Sequence, residues 1–210
     1  MSEEAKSRVL EYAQAGARLR EHFFAEHADL IVDTARTLAL CLARGGKILF
    51  CGNGGSAADA QHLAAEFVNR FEIERPPLAA IALTTDTSIL TSIGNDFDYN
   101  QIFSKQVQAL GVPGDVLIGI STSGNSENVV RAFLAARENS ITTIGITGKN
   151  GGKLRALSDT LINVPEQSTA LVQEIHITVG HLLCRLVDYF LFQNALVLEP
   201  YLDGEKSIGD

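Results

Sequence analysis

The chain has 210 residues, of which 46% are hydrophobic and 20% are charged, a composition typical of one globular domain with a substantial core. Its net charge of −8 argues against nucleic acid or an anionic membrane surface as the main partner. Its three cysteines form no CxxC pair and favour a reducing, cytoplasmic location. No signal peptide is predicted. No membrane span is predicted either, because Arg185 and Asp188 interrupt the apolar residues 182–198.

The first 44 residues predict two helices. Apolar residues recur at helical spacing from about Glu3 to Arg44, and a break near residues 27–29 divides this stripe, with Asp29 as a candidate cap. Because these helices precede any strand, the first one packs either on a second subunit or on its own domain. The sequence leaves both arrangements open.

Short apolar segments then alternate with helical patterns. The predicted strands are residues 47–51, 78–83, 116–120, 142–146 and 160–164. The predicted helices are 57 to about 71, 84–93, 99–110, one ending at 137, a short turn at 154–157, and 167 to about 192. This alternation predicts a parallel sheet with helices on both faces, and residues 193–210 are a tail without an assigned role.

A hydroxyl-rich turn, STSGNS, follows the third predicted strand at residues 121–126, and a helical pattern begins directly after it. Free N–H groups at a helix N-terminus, the helix dipole and several hydroxyl groups together favour an anion such as phosphate. The alternative is that Ser126 merely caps the helix. Three serines and a threonine within six residues favour the phosphate site.

A glycine-rich turn, GNGGS, follows the first predicted strand at residues 52–56. Glycines permit close approach of the backbone to a ligand. The turn matches neither a P-loop nor the dinucleotide-binding GxGxxG, so it is a weak signal by itself. Since ligands bind beyond the carboxyl ends of parallel strands, we expect both turns to lie on one rim of the sheet.

Two predicted helices carry the reactive side chains. His62 and Glu66 share a helix face at i and i+4. The last helix carries Gln173, Glu174, His176 and His181. Two histidines, a carboxylate and an amide suit Zn²⁺ or a similar ion, whereas solvated or hydrogen-bonded packing residues are the alternative. Gln173 and His181 are about 12 Å apart along a straight helix, so convergence needs leaning side chains, an irregular helix start or a second subunit.

A phosphate site beside a carboxylate and a histidine is typical of proton transfer on a sugar phosphate. Aldose–ketose interconversion needs a base for a carbon-bound proton, an acid at the oxygens and stabilisation of the enediolate charge. A metal ion is an alternative means of polarising the carbonyl.

The motifs CGNGGSAADAQHLAAEF, Gly94-Asn95-Asp96, GDVLIGISTSGNS and QEIH with a later histidine resemble sugar isomerase (SIS) domains, most closely bacterial phosphoheptose isomerases. The resemblance covers nearly the whole chain. It implies a flavodoxin-like three-layer α/β sandwich formed by one domain over residues 1–210, with N-terminal helices 1–44, core 46–192 and tail 193–210. It also implies conversion of sedoheptulose 7-phosphate to D-glycero-D-manno-heptose 7-phosphate for lipopolysaccharide or other glycans.

The resemblance further implies a homotetramer with sites at subunit interfaces, one zinc ion per subunit, and roles for particular residues. Glu66 and His181 are the implied acid–base pair. The implied metal ligands are His62, Glu66, Gln173 and His181. The implied substrate-binding residues are Asn53, Gly54, Gly55, Glu66, Asn95, Asp96, Ser121, Thr122, Ser123, Ser126 and Gln173. The chain departs from the common Arg-Ile-Gln before the last helix, where it has Leu171-Val172-Gln173.

A related group of SIS proteins suggests a second hypothesis, a non-catalytic binding module that partners the bacterial replication initiator. Those proteins lose the carboxylate that matches Glu66 and have an altered serine loop. Both features are intact here, which favours the isomerase. A sugar-phosphate-sensing domain of a regulator is a third interpretation, but no DNA-binding segment is recognised and the acidic balance opposes one.

Overall fold

The computed structural model describes residues 2–203 and residue 206, and it has a five-stranded parallel sheet with helices on both faces. The strands are β1 (Ile48–Gly52), β2 (Ala80–Ala82), β3 (Val116–Ser121), β4 (Thr142–Gly148) and β5 (Thr160–Val164). The helices are α1 (Glu3–Ala43), α2 (Gly55–Val68), α3 (Thr87–Asp96), α4 (Ser104–Leu110), α5 (Glu127–Glu138), α6 (Thr169–Asp188) and α7 (Glu199–Leu202). The predicted three-layer α/β sandwich is confirmed, and β5 has the predicted bounds.

The strand order is β2-β1-β3-β4-β5, and every neighbouring pair is parallel. The chain passes from β1 to β2 at one edge and then returns to β3 on the other side of β1. A crevice forms at such a reversal, beyond the carboxyl ends of the two strands concerned. Gly52 of β1 is paired with Ile120 of β3, so the GNGGS and STSGNS turns leave the sheet side by side at this reversal.

Two apolar clusters cover the two faces of the sheet. Alternate side chains point to opposite faces of a strand, so Phe50 of β1 joins one cluster and Leu49 joins the other. Helices α1, α2 and α6 supply the first cluster, whereas α4 and α5 supply the second. All residues of β1 and β3 are buried, as expected for central strands of a parallel sheet.

The N-terminal prediction of two helices is wrong, because α1 is one continuous helix of 41 residues. At the expected break, Nδ1 of His27 lies 2.9 Å from the carbonyl oxygen of Phe23, and the two rings stack with centroids 4.3 Å apart. This packing carries the helix past Asp29. Its second half contributes to the core, while apolar residues of its first half are exposed, including Val9 at 68% and Leu10 at 51%.

Several predicted boundaries also shift for local reasons. Helix α3 begins at Thr87 because Asp86 caps it, accepting a hydrogen bond from the backbone N–H of Ile89. The helix predicted over residues 99–110 is divided into a 3₁₀ turn (Tyr99–Gln101) and α4. In the tail, α6 continues as a π-helical turn (Tyr189–Gln193), and α7 follows a 3₁₀ turn; residues 204, 205 and 207–210 lie outside the described residues.

The segment Thr169–Gln193, which is α6 with its π-helical extension, is long and apolar enough to cross a membrane by length and composition. The expectation that no run approaches such a length is therefore corrected. Half of its most apolar window is buried inside the domain, and its Asp188 forms a buried ion pair with Arg75. These contacts are those of a core helix.

The buried His176 predicts a pH dependence of stability. Its side chain is 1% exposed, and burial lowers its pKa to about 4, although the carbonyl of Thr147 at 2.9 Å from Nε2 opposes this shift. Below about pH 6.5 the unfolded chain binds a proton that the native protein does not, so stability falls as the pH falls from about 6.5 to about 4. We expect His176→Gln to remove about 2–3 kcal/mol of this loss between pH 7 and pH 4.5.

Urea unfolding of both proteins at the two pH values measures this difference. Comparing each protein with itself at two pH values cancels the constant cost of the substitution. An equal loss of stability in the two proteins would contradict the assignment to His176.

Candidate active site

Side-chain hydrogen bonds join the GNGGS turn to the start of α5, the helix that follows the STSGNS turn, at the reversal of strand order. The amides of Asn53 and Asn128 exchange two hydrogen bonds, each of 2.9 Å, across a sequence separation of 75 residues. The hydroxyl group of Tyr99 donates to Oδ1 of Asn53 at 3.0 Å. The turns therefore share one rim of the sheet, as predicted, and the orientation of the Asn53 amide is fixed.

The hydroxyl-rich turn is not explained by helix capping. Ser126 is the N-cap residue of α5, but its side chain makes no capping hydrogen bond; its Oγ instead lies 3.1 Å from Oγ of the buried Ser121. Gly124 adopts a left-handed φ of 65°, and the carbonyl oxygen of Gly151 occupies the place of a Cβ there. Thr122 and Ser123 lie in this tightly packed turn, which ends where α5 begins.

Two cations stand beside this turn. The backbone N–H of Lys153 donates to Oδ1 of Asn125 at 3.0 Å, and its Nζ lies 3.0 Å from Glu127. Glu127 also pairs with Arg131 at 3.3 Å. Hydrogen bonds from Lys153 and Arg131 lower the pKa of Glu127. An acidic chain thus has two positive charges near the candidate phosphate site, and both are held by one carboxylate.

Helices α2 and α6 run side by side in the same direction. The amide of Gln173 fills the place of a Cβ on Gly55, with Nε2 2.5 Å from that position. Seven residues further along α6, a Cβ on Gly180 would lie 2.5 Å from Cδ2 of Leu63. The absence of a side chain at Gly180 therefore allows α6 to approach α2 closely where the reactive histidines lie.

The contact between the helices brings together three of the predicted site residues. Nε2 of His62 lies 2.9 Å from Nε2 of His181, and the same atom of His62 lies 3.5 Å from Oε1 of Glu66. This distance is that of a hydrogen bond in which one imidazole N–H donates to the nitrogen of the other ring. The ring of Phe71 stacks on His181 with centroids 5.4 Å apart. This arrangement combines a carboxylate with two imidazoles able to exchange a proton.

The donor set is chemically suited to a divalent metal ion, although the spacing is that of a hydrogen bond. Imidazole nitrogens on one tetrahedral zinc ion, at 2.0–2.1 Å from it, stand about 3.3 Å apart. The observed distance of 2.9 Å between Nε2 of His62 and Nε2 of His181 is shorter. Over residues 2–203 and 206, no group of three or more His, Cys, Asp or Glu side chains has a complete metal-binding arrangement. Two imidazoles and a carboxylate fit zinc after a small separation of the rings.

Three other predicted residues lie apart from this cluster. Gln173 packs on Gly55 and not on the histidine pair. Gly55 and His62 are about 10 Å apart along α2. Asn95 and Asp96 are exposed at the end of α3 and hydrogen bond to each other at 2.8 Å. Leu171, at the position of the common arginine, is 8% exposed.

Sequence reasoning missed four residues of this region, which are Asp59, Tyr99, Asn128 and Lys153. Burial raises the pKa of Asp59, and the nearby His62 and His181 oppose that shift. Its spacing of three residues from His62 was an available signal. The other three come from distant segments, and no local pattern marks them.

Comparison with known proteins gives consistent results. Residues 11–148 match the model of the SIS domain family. The chain is 65% identical to a phosphoheptose isomerase of Nitratidesulfovibrio vulgaris (Miyazaki F) over 98% of this chain and 99% of that one. It is 58% identical to that of Maridesulfovibrio salexigens over 98% and 100%.

Solved structures of two phosphoheptose isomerases are also similar. The protein from Neisseria gonorrhoeae has a TM-score of 0.83 at 48% identity, with 88% of this chain and 98% of that one covered. The protein from Francisella tularensis has a TM-score of 0.85 at 38% identity, with 90% and 99% covered.

The close approach of α2 and α6 predicts that Gly180→Ala destabilises the protein. The added methyl group would lie 2.5–2.6 Å from both Cδ atoms of Leu63. Overpacking costs about 1–3 kcal/mol, which exceeds the gain of up to about 1 kcal/mol in helix propensity. Urea unfolding measures the net loss.

Gly94→Ala is the matched control, since a Cβ on Gly94 in α3 meets nothing within 4 Å and should be neutral or stabilising. The double variant Leu63→Ala/Gly180→Ala should lose less stability than the sum of the single variants, by at least about 1 kcal/mol. Additive losses would mean that the two side chains do not compete for space.

Proposed function

This chain belongs to the phosphoheptose isomerases of the SIS domain family, and we propose that it converts sedoheptulose 7-phosphate to D-glycero-D-manno-heptose 7-phosphate through an enediolate. One observation carries the proposal. His62 and Glu66 lie on one helix, α2, whose N-terminus adjoins the paired ligand turns, and His62 contacts His181 of the neighbouring helix α6. A substrate bound by its phosphate at those turns has its other end directed along α2.

The phosphate end of the substrate binds at the hydroxyl-rich turn. Three features support this assignment: the hydroxyl groups of Ser121 and Ser126, which contact each other and do not cap α5, the N-terminus of α5, and the neighbouring Lys153. Thr122 and Ser123 belong to the same turn. On the other side of the crevice, Gly54 and Gly55 leave the backbone accessible, and Asn53 keeps one amide N–H for a substrate hydroxyl.

At the carbonyl end, Glu66 acts as the base and His181 as the acid. Glu66 removes a proton from C1 and returns it to C2, while His181 donates a proton to O2 and then takes one from O1. The proximity of the two groups supports this division, since both lie against His62. Phe71 limits the movement of the His181 ring and the access of water to it.

A metal ion is a further part of the proposal. His62, Glu66 and His181 would hold it. The family resemblance implies Gln173 as the fourth ligand, and because Gln173 packs on Gly55 about 10 Å away within one subunit, a second subunit would contribute this ligand. Zinc bound there would supply a Lewis acid for the substrate oxygens. Because a metal-bound carboxylate is a weaker base, Glu66 acts on the substrate proton when it is free of the ion.

We further propose that the protein is a cytoplasmic homotetramer that supplies glycan precursors. The exposed Val9, Leu10 and Tyr12 on the first half of α1 support an oligomer, since they form an apolar surface that a second subunit would cover. Asn95 and Asp96, which lie apart from the cluster within one subunit, belong to the site if subunits assemble across α3.

Glu66→Gln tests the catalytic assignment. An amide keeps the shape of the side chain but cannot accept the substrate proton, so we expect a loss of activity of about 10²- to 10⁴-fold. The assay follows formation of the aldose from sedoheptulose 7-phosphate. Glu138→Gln at the exposed end of α5 is the control and should retain activity.

Wild-type protein that is inactive with each divalent metal supplied would contradict the isomerase function. Recovery of a replication initiator in a pull-down by that inactive protein would favour the binding module instead.

His62→Ala tests the metal site independently of activity. Loss of a direct ligand should weaken zinc binding at least about tenfold, because removal of even an outer-sphere partner commonly has that effect. Metal analysis after dialysis against limiting zinc measures retention. His22→Ala, whose side chain is 73% exposed on α1, is the control. Equal zinc retention in wild type and both variants would contradict His62 as a ligand.

A further inference from the structure

The segment that follows α2, residues 69–75, lies across one face of α6. Three of its side chains contact α6 at positions i, i+4 and i+7, which share a face of a helix. The contacts are Phe71 with His181, Glu72 with Arg185, and Arg75 with Asp188. The segment therefore connects the end of the helix that carries Glu66 to the helix that carries His181.

Of these contacts, only the pair Arg75–Asp188 is a buried ion pair. The side chains of Arg75 and Asp188 are 1% and 5% exposed, whereas those of Arg185 and Glu72 are 58% and 48% exposed. An exposed pair contributes little to holding two elements together. A buried pair loses its hydration, and Oδ2 of Asp188 has no hydrogen-bond partner among the described residues, so stability alone is a weak explanation for this pair.

The guanidinium of Arg75 also binds the last turn of α2. Its Nε donates to Oδ1 of Asp188 at 2.8 Å, its Nη2 donates to the carbonyl oxygen of Glu66 at 2.9 Å, and its Nη1 donates to that of Phe67 at 2.7 Å. The carbonyl groups of a helix C-terminus lack partners within the helix and favour a cation. One planar group thus links the backbone of Glu66 to a carboxylate on α6.

We infer that Arg75 is a positioning residue, which fixes the backbone of Glu66 relative to α6 and thereby sets the distance between Glu66 and His181. The inference rests on the proposed function, in which these two groups are the acid–base pair. Arg75 is not a catalytic residue, because its donors are directed at the protein backbone and Asp188. Asp188 lies two helical turns beyond His181 on the same helix, so the contact of Arg75 with Asp188 affects the position of His181 relative to Glu66.

Arg75→Lys is the most informative substitution. Lysine keeps the positive charge, but its single ammonium group lacks the planar fork that reaches a carboxylate and two carbonyl oxygens at once. A small misplacement of catalytic groups can cost about 100-fold in rate, so we expect kcat to fall about 10- to 100-fold. KM should change by less than about threefold, because the phosphate turns are untouched.

Asp188→Asn is the second variant and has a matched control elsewhere in the fold. The control is Asp115→Asn, which alters an ion pair of a buried carboxylate with a partly buried lysine, Asp115 with Lys47 at 2.6 Å, at the amino end of the sheet. Thermal unfolding gives the loss of stability in each variant, and kinetics are measured well below each Tm. We expect Asp188→Asn to lower kcat as Arg75→Lys does, and Asp115→Asn to leave it within about twofold.

Wild-type kcat in the folded Arg75→Lys and Asp188→Asn variants would overturn the inference. An equal fall of kcat in Asp115→Asn would also overturn it, because the effect would then follow stability alone. Both outcomes leave the proposed function standing, provided that Glu66→Gln is inactive.

Imidazole ¹⁵N resonances of His62 and His181 provide a readout that does not need turnover. The Nε2 atoms of the two rings are 2.9 Å apart across α2 and α6, so their chemical shifts report the relative position of the two helices. Arg75→Lys should change these shifts and Asp115→Asn should not. If the wild-type protein has no isomerase activity, the proposed function fails, and unchanged resonances in Arg75→Lys would overturn the positioning role separately.

Discussion

The site depends on the close, same-direction packing of α2 against α6. This contact is permitted by the absent side chain of Gly180, whose place Leu63 occupies, and it brings His62 within 2.9 Å of His181. A glycine inside a helix costs about 1 kcal/mol relative to alanine, so its presence at this point conflicts with local propensity. Such conflicts between local preference and tertiary structure commonly occur at functional sites.

The strand order supplies the other half of the arrangement. Because the chain reverses direction across the sheet between β1 and β3, the turns after these strands become neighbours, although they are distant in sequence. The reciprocal amide hydrogen bonds of Asn53 and Asn128 then join the turn after β1 to the start of α5, which follows the turn after β3. Helix α2 begins at one of these turns and carries Glu66 on its last turn. A single rigid element thus relates the candidate phosphate site to the candidate acid–base groups.

Although the protein is acidic overall, three of its cationic side chains lie close to the candidate site. Lys153 and Arg131 gather around Glu127 beside the hydroxyl-rich turn, and Arg75 is enclosed between Asp188 and the carbonyl groups that end α2. Buried ionic groups are costly unless their geometry satisfies them, so they are weak evidence for stability. The placement of Arg75 at the junction of the two helices is better explained by the position that it imposes on them.

The sequence by itself determined the alternation of strands and helices, the bounds of β5 and the positions of the GNGGS and STSGNS turns, because burial periodicity and turn chemistry are encoded over a few residues. The roles of Glu66 and His181 came from resemblance. Only the tertiary structure decided that α1 is continuous, that Gln173 packs on Gly55, and that Arg75 meets Asp188 across 113 residues. Contacts of this kind follow from strand order and helix packing, which no local pattern specifies.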